Sequence, residues 1–197
     1  MRLEFGFGND IQTVEAPDEN IVGILMPNEV ELGLTGEAAV LDALQKPIGT
    51  PRLSQIVKPG ETVAIVTSDI TRPMPTYAVM PALLNELYLA GVRPEDVTLV
   101  FGLGSHRRQT PEEMRKLAGD RAFREIRCVD SDPDDCAHFG VTSRGTPVDI
   151  TRTVADADRR VLLGNIEYHY FAGYSGGGKA LMPGASTRKA IQCNHSL

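Results

Sequence analysis

The chain has 197 residues, of which 42% are hydrophobic, and its 20 Lys and Arg against 26 Asp and Glu give a formal net charge of −6. This acidic balance argues against nucleic acid as a partner, and no apolar run approaches the roughly 18 residues that would span a membrane. The 19 glycines and 13 prolines exceed what a helical bundle tolerates, so an α/β fold is expected. Three cysteines without a CxxC pair, behind a start that does not resemble a signal peptide, predict a cytoplasmic protein.

Apolar periodicity predicts the elements of the first half of the chain. In chain order these are a hairpin turning at 8–10, helices at 37–45 and 52–57, a buried strand at 61–67 and an amphipathic helix built on an apolar stripe at 80–88. Gly91 is expected to end that helix. A strand followed by a polar loop and a helix is the repeating unit of a parallel sheet.

The second half repeats this unit. The expected elements are a strand at 97–101, a helix between a Thr110, Pro111, Glu113 capping box and Gly119, a strand at 124–129, a surface loop at 130–135, a strand at 161–166 and a last helix beginning near Arg188. The fold class is therefore α/β, an open, mostly parallel, Rossmann-like sheet with helices on both faces. Ligands of such sheets bind beyond the carboxyl ends of the strands, where the polar loops 68–75, 102–108 and 167–179 lie.

The last of these loops carries the clearest candidate for chemistry, Lys179 after three glycines. Residues 173–179 satisfy the GxxxxGK pattern of a phosphate-binding P-loop. Ala180, however, lacks the hydroxyl that would hold Mg²⁺, and Pro183 interrupts the helix that a P-loop must begin. The glycines would still allow close approach to an anion, and a partly desolvated lysine can be a nucleophile or an attachment point. A merely flexible turn is the structural alternative.

Histidines and a basic loop form the remaining candidates. His106 and His169 each follow a predicted strand, and two imidazoles on one cleft would make a reversible acid and base pair at neutral pH. His138 lies in an acidic segment and is interpreted as an ordinary residue. Asp69 and Arg72 lie in one loop, where the arginine could grip a carboxylate or phosphate or simply form a loop salt bridge with the aspartate.

Three motifs in this order resemble the nickel-dependent lactate racemase family. They are SDITRPMP at 68–75, GSHR at 104–107 and HYFAGYSGGGK at 169–179, with Pro183, Gly184 and His195 following. The resemblance extends over essentially the whole chain and implies a racemase or epimerase of a small 2-hydroxy acid such as lactate.

The resemblance also implies a nickel-pincer nucleotide, pyridinium-3,5-bisthiocarboxylic acid mononucleotide, supplied by cofactor-building enzymes. By position in the motifs, Lys179 would carry the covalent link and His195 would be the nickel ligand. His106 and His169 would be the paired acid and base that accompany hydride transfer between substrate and cofactor. The remaining cofactor-binding and substrate-region residues would be Asp69, Arg72, Ser175, Gly176, Gly177 and Gly178.

Members of the family have a second domain after this region, with the active site between the two. Residues 1–197 are therefore expected to be the amino-terminal, cofactor-attaching domain, inactive by itself and completed by a carboxy-terminal domain. Two alternatives stay open, a non-catalytic nucleotide- or phosphate-binding module and a P-loop-like NTPase. The residues do not indicate which 2-hydroxy acid would be the substrate.

Overall fold

The computed structural model describes residues 1–72, 74–169, 171 and 173–196, and the chain divides into two units, 1–33 and 34–197. In the first unit, β1 (Arg2–Phe7) pairs antiparallel with β2 (Asp10–Glu15), and Gly8 turns the chain with a φ of 63°. The predicted hairpin is confirmed. Its apolar side chains Phe5, Phe7 and Ile11 are exposed.

The second unit contains the remaining strands and all of the described α-helices. The helices are α1 (Gly36–Gln45), α2 (Leu53–Ile56), α3 (Thr76–Leu89), α4 (Pro111–Ala118), α5 (Asp120–Glu125), α6 (Arg152–Ala155), α7 (Gly178–Leu181) and α8 (Arg188–His195). The strands are β3 (Val63–Ser68), β4 (Val97–Gly102), β5 (Arg127–Asp130), β6 (Cys136–Val141), β7 (Pro147–Thr151), β8 (Arg159–Leu162), β9 (Tyr168–His169) and β10 (Gly173–Tyr174). No described helix has the length and apolar character needed to cross a bilayer.

Four parallel strands form the central sheet, in the order β5-β4-β3-β8. The chain moves outward from β3 through β4 to β5 and then returns to add β8 on the other side of β3. This reversal of direction opens a crevice at the carboxyl ends of β3 and β8, which is where α/β sheets of this kind bind ligands. The predicted α/β class is confirmed.

The two faces of the sheet are covered by different sets of helices. Side chains alternate along each strand, so Ile65 packs on one face with Leu83 and Leu87 of α3, whereas Val66 packs on the other with Val154 of α6. All five are at most 1% exposed. Each such buried side chain contributes about 1.5–3 kcal/mol, so this double-sided burial holds the strand ends in place.

Several boundaries differ from the prediction because tertiary packing decides them. The helix opened by Thr110 ends at Gly119 as expected, with both hydrogen bonds of the capping box formed. The expected strand at 124–129 begins only at Arg127, since a further helix, α5, occupies residues up to Glu125. The antiparallel pair of β6 and β7 was not predicted, and its register is broken by a bulge after His138.

Candidate active site

Side chains from four segments converge on one cleft at the carboxyl ends of β3, β4 and β8. Its lining includes the predicted site residues Asp69, Arg72, His106, His169, Ser175, Gly176, Lys179 and His195. The cleft encloses a cavity of about 150 Å³. Parallel strands end at one edge of a sheet, and this is why residues far apart in sequence meet here. Gly177 and Gly178 are exposed and are not among the described residues that line the cleft.

His106 is oriented by a buried carboxylate. Its Nδ1 lies 2.7 Å from Oδ2 of Asp69, whose side chain is 3% exposed. The other oxygen of Asp69 accepts hydrogen bonds from the backbone N–H of Thr71 at 3.2 Å and from its hydroxyl at 2.6 Å. An ionised carboxylate can only accept, so in the neutral form of His106 the proton lies on Nδ1 and Nε2 is the acceptor.

The contact with His106 adds a second role for Asp69, in the loop after β3. The family resemblance implies that Asp69 belongs to the nucleotide and substrate region, and the structure adds a direct contact between Asp69 and His106. The alternative for Arg72, a loop salt bridge with Asp69, does not occur among the described residues. The guanidinium of Arg72 donates one long hydrogen bond, from Nη1 to the hydroxyl of Thr71 at 3.5 Å, and Arg72 lines the cleft.

His169 enters the cleft from β9, which pairs antiparallel with β10. Its Nδ1 accepts a hydrogen bond from the backbone N–H of Phe171 at 3.2 Å. Partial burial lowers the pKa of His169, and the nearby charges of Lys179, His195 and Arg72 lower it further, while Glu167 acts in the opposite direction. A lowered pKa favours the neutral imidazole at pH 7, and because Nδ1 accepts from Phe171, that neutral ring carries its proton on Nε2.

Lys179 lies in the single turn of α7 and is held there by backbone hydrogen bonds. Its N–H donates to the carbonyl of Gly176 and its carbonyl accepts from Gly184, both at 3.1 Å. The N–H of Gly104, in the His106 loop, donates to the carbonyl of Gly184 at 2.9 Å. The lysine and the histidine are therefore positioned by one continuous network.

The glycines around Lys179 are required by close packing and backbone conformation. Gly176 and Gly177 have φ of 83° and 51°, a region that side chains disfavour. A Cβ on Gly164 would lie 2.9 Å from Cα of Gly176, and a Cβ on Gly184 would collide with the carbonyl oxygen of Ala180. Ser175, predicted to bind cofactor, donates its hydroxyl to the carbonyl of Asn165 at 2.8 Å and thereby ties the loop to the segment after β8.

The environment of Lys179 lowers the pKa of its amine. Partial burial is the larger cause and the positive charge of Arg72 the next, opposed by Glu167. Since the neutral amine is the nucleophile and is lost as pH falls through the pKa, we expect Lys179 to react with an acylating reagent at lower pH than an ordinary lysine, whose pKa is about 10.4. Peptide mapping after brief acylation across a pH series measures this, with the exposed Lys189 as internal control. Equal labelling of both lysines at every pH would contradict the expectation.

One ring nitrogen of His195 is hydrogen-bonded within its own helix. His195 ends α8, and Thr187 caps the start of that helix, because its hydroxyl accepts the N–H of Ala190 at 3.2 Å. Its Nδ1 lies 2.9 Å from the carbonyl of Ile191 and can only donate to that oxygen, so Nε2 keeps its lone pair for a metal. Its ring centroid lies 5.7 Å from that of His169.

The described residues contain no group of three or more His, Cys, Asp or Glu side chains that could hold a metal ion. The nitrogen of His195 and the amine of Lys179 do, however, fit a metal whose other ligands belong to a cofactor that is linked to that lysine.

His138, the fourth histidine, lies outside the cleft. It is exposed and pairs with Asp149 at 2.6 Å, in the hairpin of β6 and β7, as expected of an ordinary surface residue.

Comparison with known proteins identifies the family of the chain. The model of the lactate racemase N-terminal domain matches residues 7–197. The chain belongs to this family. It is 32% identical to the lactate racemase of Thermoanaerobacterium thermosaccharolyticum over 198 residues, covering 98% of this chain and 46% of that protein. It is 31% identical to the lactate racemase of Lactiplantibacillus plantarum over 190 residues, covering 93% and 44%.

Solved structures show the same fold. The lactate racemase apoprotein of T. thermosaccharolyticum superposes with a TM-score of 0.77 and 31% identity, covering 97% of this chain and 45% of that one. A Thermotoga maritima protein matches with a TM-score of 0.64 and 23% identity, covering 85% and 42%, which supports the fold alone. The chain thus spans less than half the length of the relatives that it matches.

Two residues that brace the site were missed by the sequence analysis. Gln109 and Asp130 are 7% and 9% exposed and hydrogen-bond to each other below the His106 loop. No local pattern indicates them, because a polar residue in a loop is ordinarily solvated. Asp130 lies within the segment 130–135 that was expected to be a surface loop, yet it is the last residue of β5.

Proposed function

We propose that this chain is the cofactor-attaching, amino-terminal part of a racemase or epimerase of a small 2-hydroxy acid such as lactate. The observation that carries the proposal is the convergence of Lys179, His195, His106 and His169 on one cleft. Two relatives bear the name lactate racemase, and family membership makes that reaction the first candidate. The further length of those relatives would supply the opposite wall of the cleft.

We propose that a nickel-pincer nucleotide is joined to Lys179 and that its nickel is completed by Nε2 of His195. When bound, this group would accept the substrate's α-hydrogen as hydride and return it. The amine of Lys179 fits attachment because its lowered pKa favours the nucleophilic form. The loop that precedes the lysine is formed by Ser175, Gly176, Gly177 and Gly178. Gly176 allows this loop to pack closely against Gly164.

The proposed work of the chain's own side chains is proton transfer and charge placement. Nε2 of His106 accepts the substrate hydroxyl proton for one enantiomer, with Asp69 holding its Nδ1–H at 2.7 Å. We assign His169 to the other enantiomer: its lowered pKa favours the neutral ring, and Nδ1 must release the N–H of Phe171 before that ring can take up a proton. Arg72 attracts the substrate carboxylate or the nucleotide phosphate through its planar pair of donors. A weakly acidic α-hydrogen makes simple deprotonation unfavourable, so proton transfer at the oxygen is the task left to the protein.

A P-loop NTPase is a weaker alternative. The segment following the glycines forms a single helical turn ending at Leu181, whereas a P-loop requires a helix whose N-terminus binds phosphate. Ala180 at the position of the Mg²⁺ ligand adds to this argument. A phosphate-binding module without catalysis would leave the paired histidines unexplained.

The deciding experiment is the intact mass of the protein. Made in a host that lacks the cofactor-building enzymes, the chain should have the mass of its bare sequence. Co-expression with those enzymes should add a sulfur-rich nucleotide that is lost in Lys179→Arg and kept in Lys189→Arg, a matched control on an exposed lysine. An adduct mapped to any other residue would refute the assignment.

A further inference from the structure

A buried carboxamide joins the ends of three strands beneath the candidate site. The side-chain oxygen of Gln109 accepts the backbone N–H of Ile70 at 3.0 Å, just after β3. Its Nε2 donates to one oxygen of Asp130 at 3.0 Å, and its backbone N–H donates to the other at 2.9 Å. Gln109 follows β4 and Asp130 ends β5, so one side chain links three neighbouring strands.

The chemistry of the partners allows only one orientation of this amide. A backbone N–H can only donate, so the oxygen of Gln109 must face Ile70. A carboxylate can only accept, so the amino group must face Asp130. Within the described part of the chain, both side-chain hydrogen bonds of Asp130 come from Gln109. Buried groups of this kind are expensive to leave unpaired, so loss of one partner disturbs the others.

The same strand end also holds the opposite side of the His106 loop. Ser131, next to Asp130, accepts the N–H of Leu103 on its hydroxyl at 3.0 Å. The loop is thus attached to β5 at residue 103 and again at residue 109, and His106 lies between, with its own N–H donating to the carbonyl of Leu103 at 3.0 Å. Ile70 directly follows Asp69, the partner of His106 Nδ1.

We infer that Gln109, held by Asp130, is a positioning residue that sets the distance between Asp69 and His106. Neither Gln109 nor Asp130 is among the described residues that line the cleft, so both act through the aspartate and the histidine. The inference rests on the proposed role of His106 as a proton acceptor. Misplacement of a reacting group by about 1 Å can lower the reaction rate on the order of a hundredfold. The hydrogen bonds of Gln109 and Asp130 would therefore affect the rate as well as the stability of the fold.

The inference is tested by exchanging the amide of Gln109 and the carboxylate of Asp130 between the two positions. In Gln109→Glu two carboxylates face each other. In Asp130→Asn a donor of residue 109 faces the amino group of the new amide. Each single variant therefore loses a hydrogen bond between residues 109 and 130. The double variant Gln109→Glu/Asp130→Asn restores every hydrogen bond, because the new carboxylate accepts both Ile70 N–H and the new amide, whose oxygen accepts the backbone N–H of residue 109. Gln45→Glu, on the exposed end of α1, is the matched control.

The readouts are the ¹⁵N shifts of the His106 ring and the exchange rate of the Ile70 amide, both measured in the cofactor-free chain. We expect each single variant to speed Ile70 exchange by about tenfold and to shift Nδ1 of His106 away from its proton-bearing value, with both readouts recovered in the double variant. Unchanged readouts in folded single variants would overturn the inference, as would a double variant that fails to recover them, whether folded or not. No readout depends on Lys179 or on turnover, so failure of the proposed function would appear separately, as a missing adduct.

Discussion

Replacing either His106 or His169 by glutamine should lower racemisation of the 2-hydroxy acid by about 10²–10⁴-fold. Both imidazoles line the cleft, and each is proposed to serve one enantiomer. The equilibrium constant of a racemisation is one, so kcat/KM must fall equally in the two directions whichever histidine is removed. A single-histidine variant can still oxidise the enantiomer that faces the remaining imidazole, and this half-reaction separates the two roles.

The measurement is chiral chromatography of lactate with cofactor-loaded protein that includes the additional length found in the relatives. His138→Gln is the control, because His138 is an exposed histidine of the β6 and β7 hairpin. It should retain racemisation. Full racemisation by either cleft variant would show that the two histidines are not the acid and base.

Asp69→Asn should reduce kcat by about 10²–10⁴-fold while leaving the fold and the attachment at Lys179 intact. The backbone N–H of Thr71 points at Oδ1 of Asp69, so the oxygen of the new amide must stay there. Its amino group then faces His106, and Nδ1 of His106 must become an acceptor. The proton moves to Nε2, which can no longer act as a base.

Three measurements on one preparation decide this prediction. The ¹⁵N chemical shift of a protonated ring nitrogen should move from Nδ1 to Nε2 of His106. The intact mass should still include the adduct. The fall in kcat should be larger than any change in KM. A normal tautomer together with a normal kcat would remove Asp69 from the proposed mechanism. Loss of the adduct would instead indicate the cofactor-binding role that the family resemblance implies for Asp69.

The secondary structure was predictable where burial imposes a clear period. The run of apolar residues in β3 and the stripe of Met80, Leu83, Leu84 and Leu87 in α3 are wholly buried, so their spacing reports the core. The pair of β6 and β7 was missed because these strands are partly exposed and contain a bulge, which removes the alternation that identifies a strand. The start of β5 was misplaced because α5 packs its own apolar residues directly before it.

The amino-acid sequence by itself determined the α/β class, the loops that would carry chemistry, and the candidate residues His106, His169, Lys179 and His195. The class, the loops and the first three of these residues follow from local signals, namely periodicity, capping and glycine placement, which act within a few residues of the chain, whereas His195 came from the resemblance to a family. The tertiary structure alone decided which side chains touch. Asp69 and His106 are 37 residues apart, and Gln109 and Asp130 are 21 apart. Such pairs form only when strand order and register bring loop ends within hydrogen-bonding distance, and no local pattern encodes that geometry.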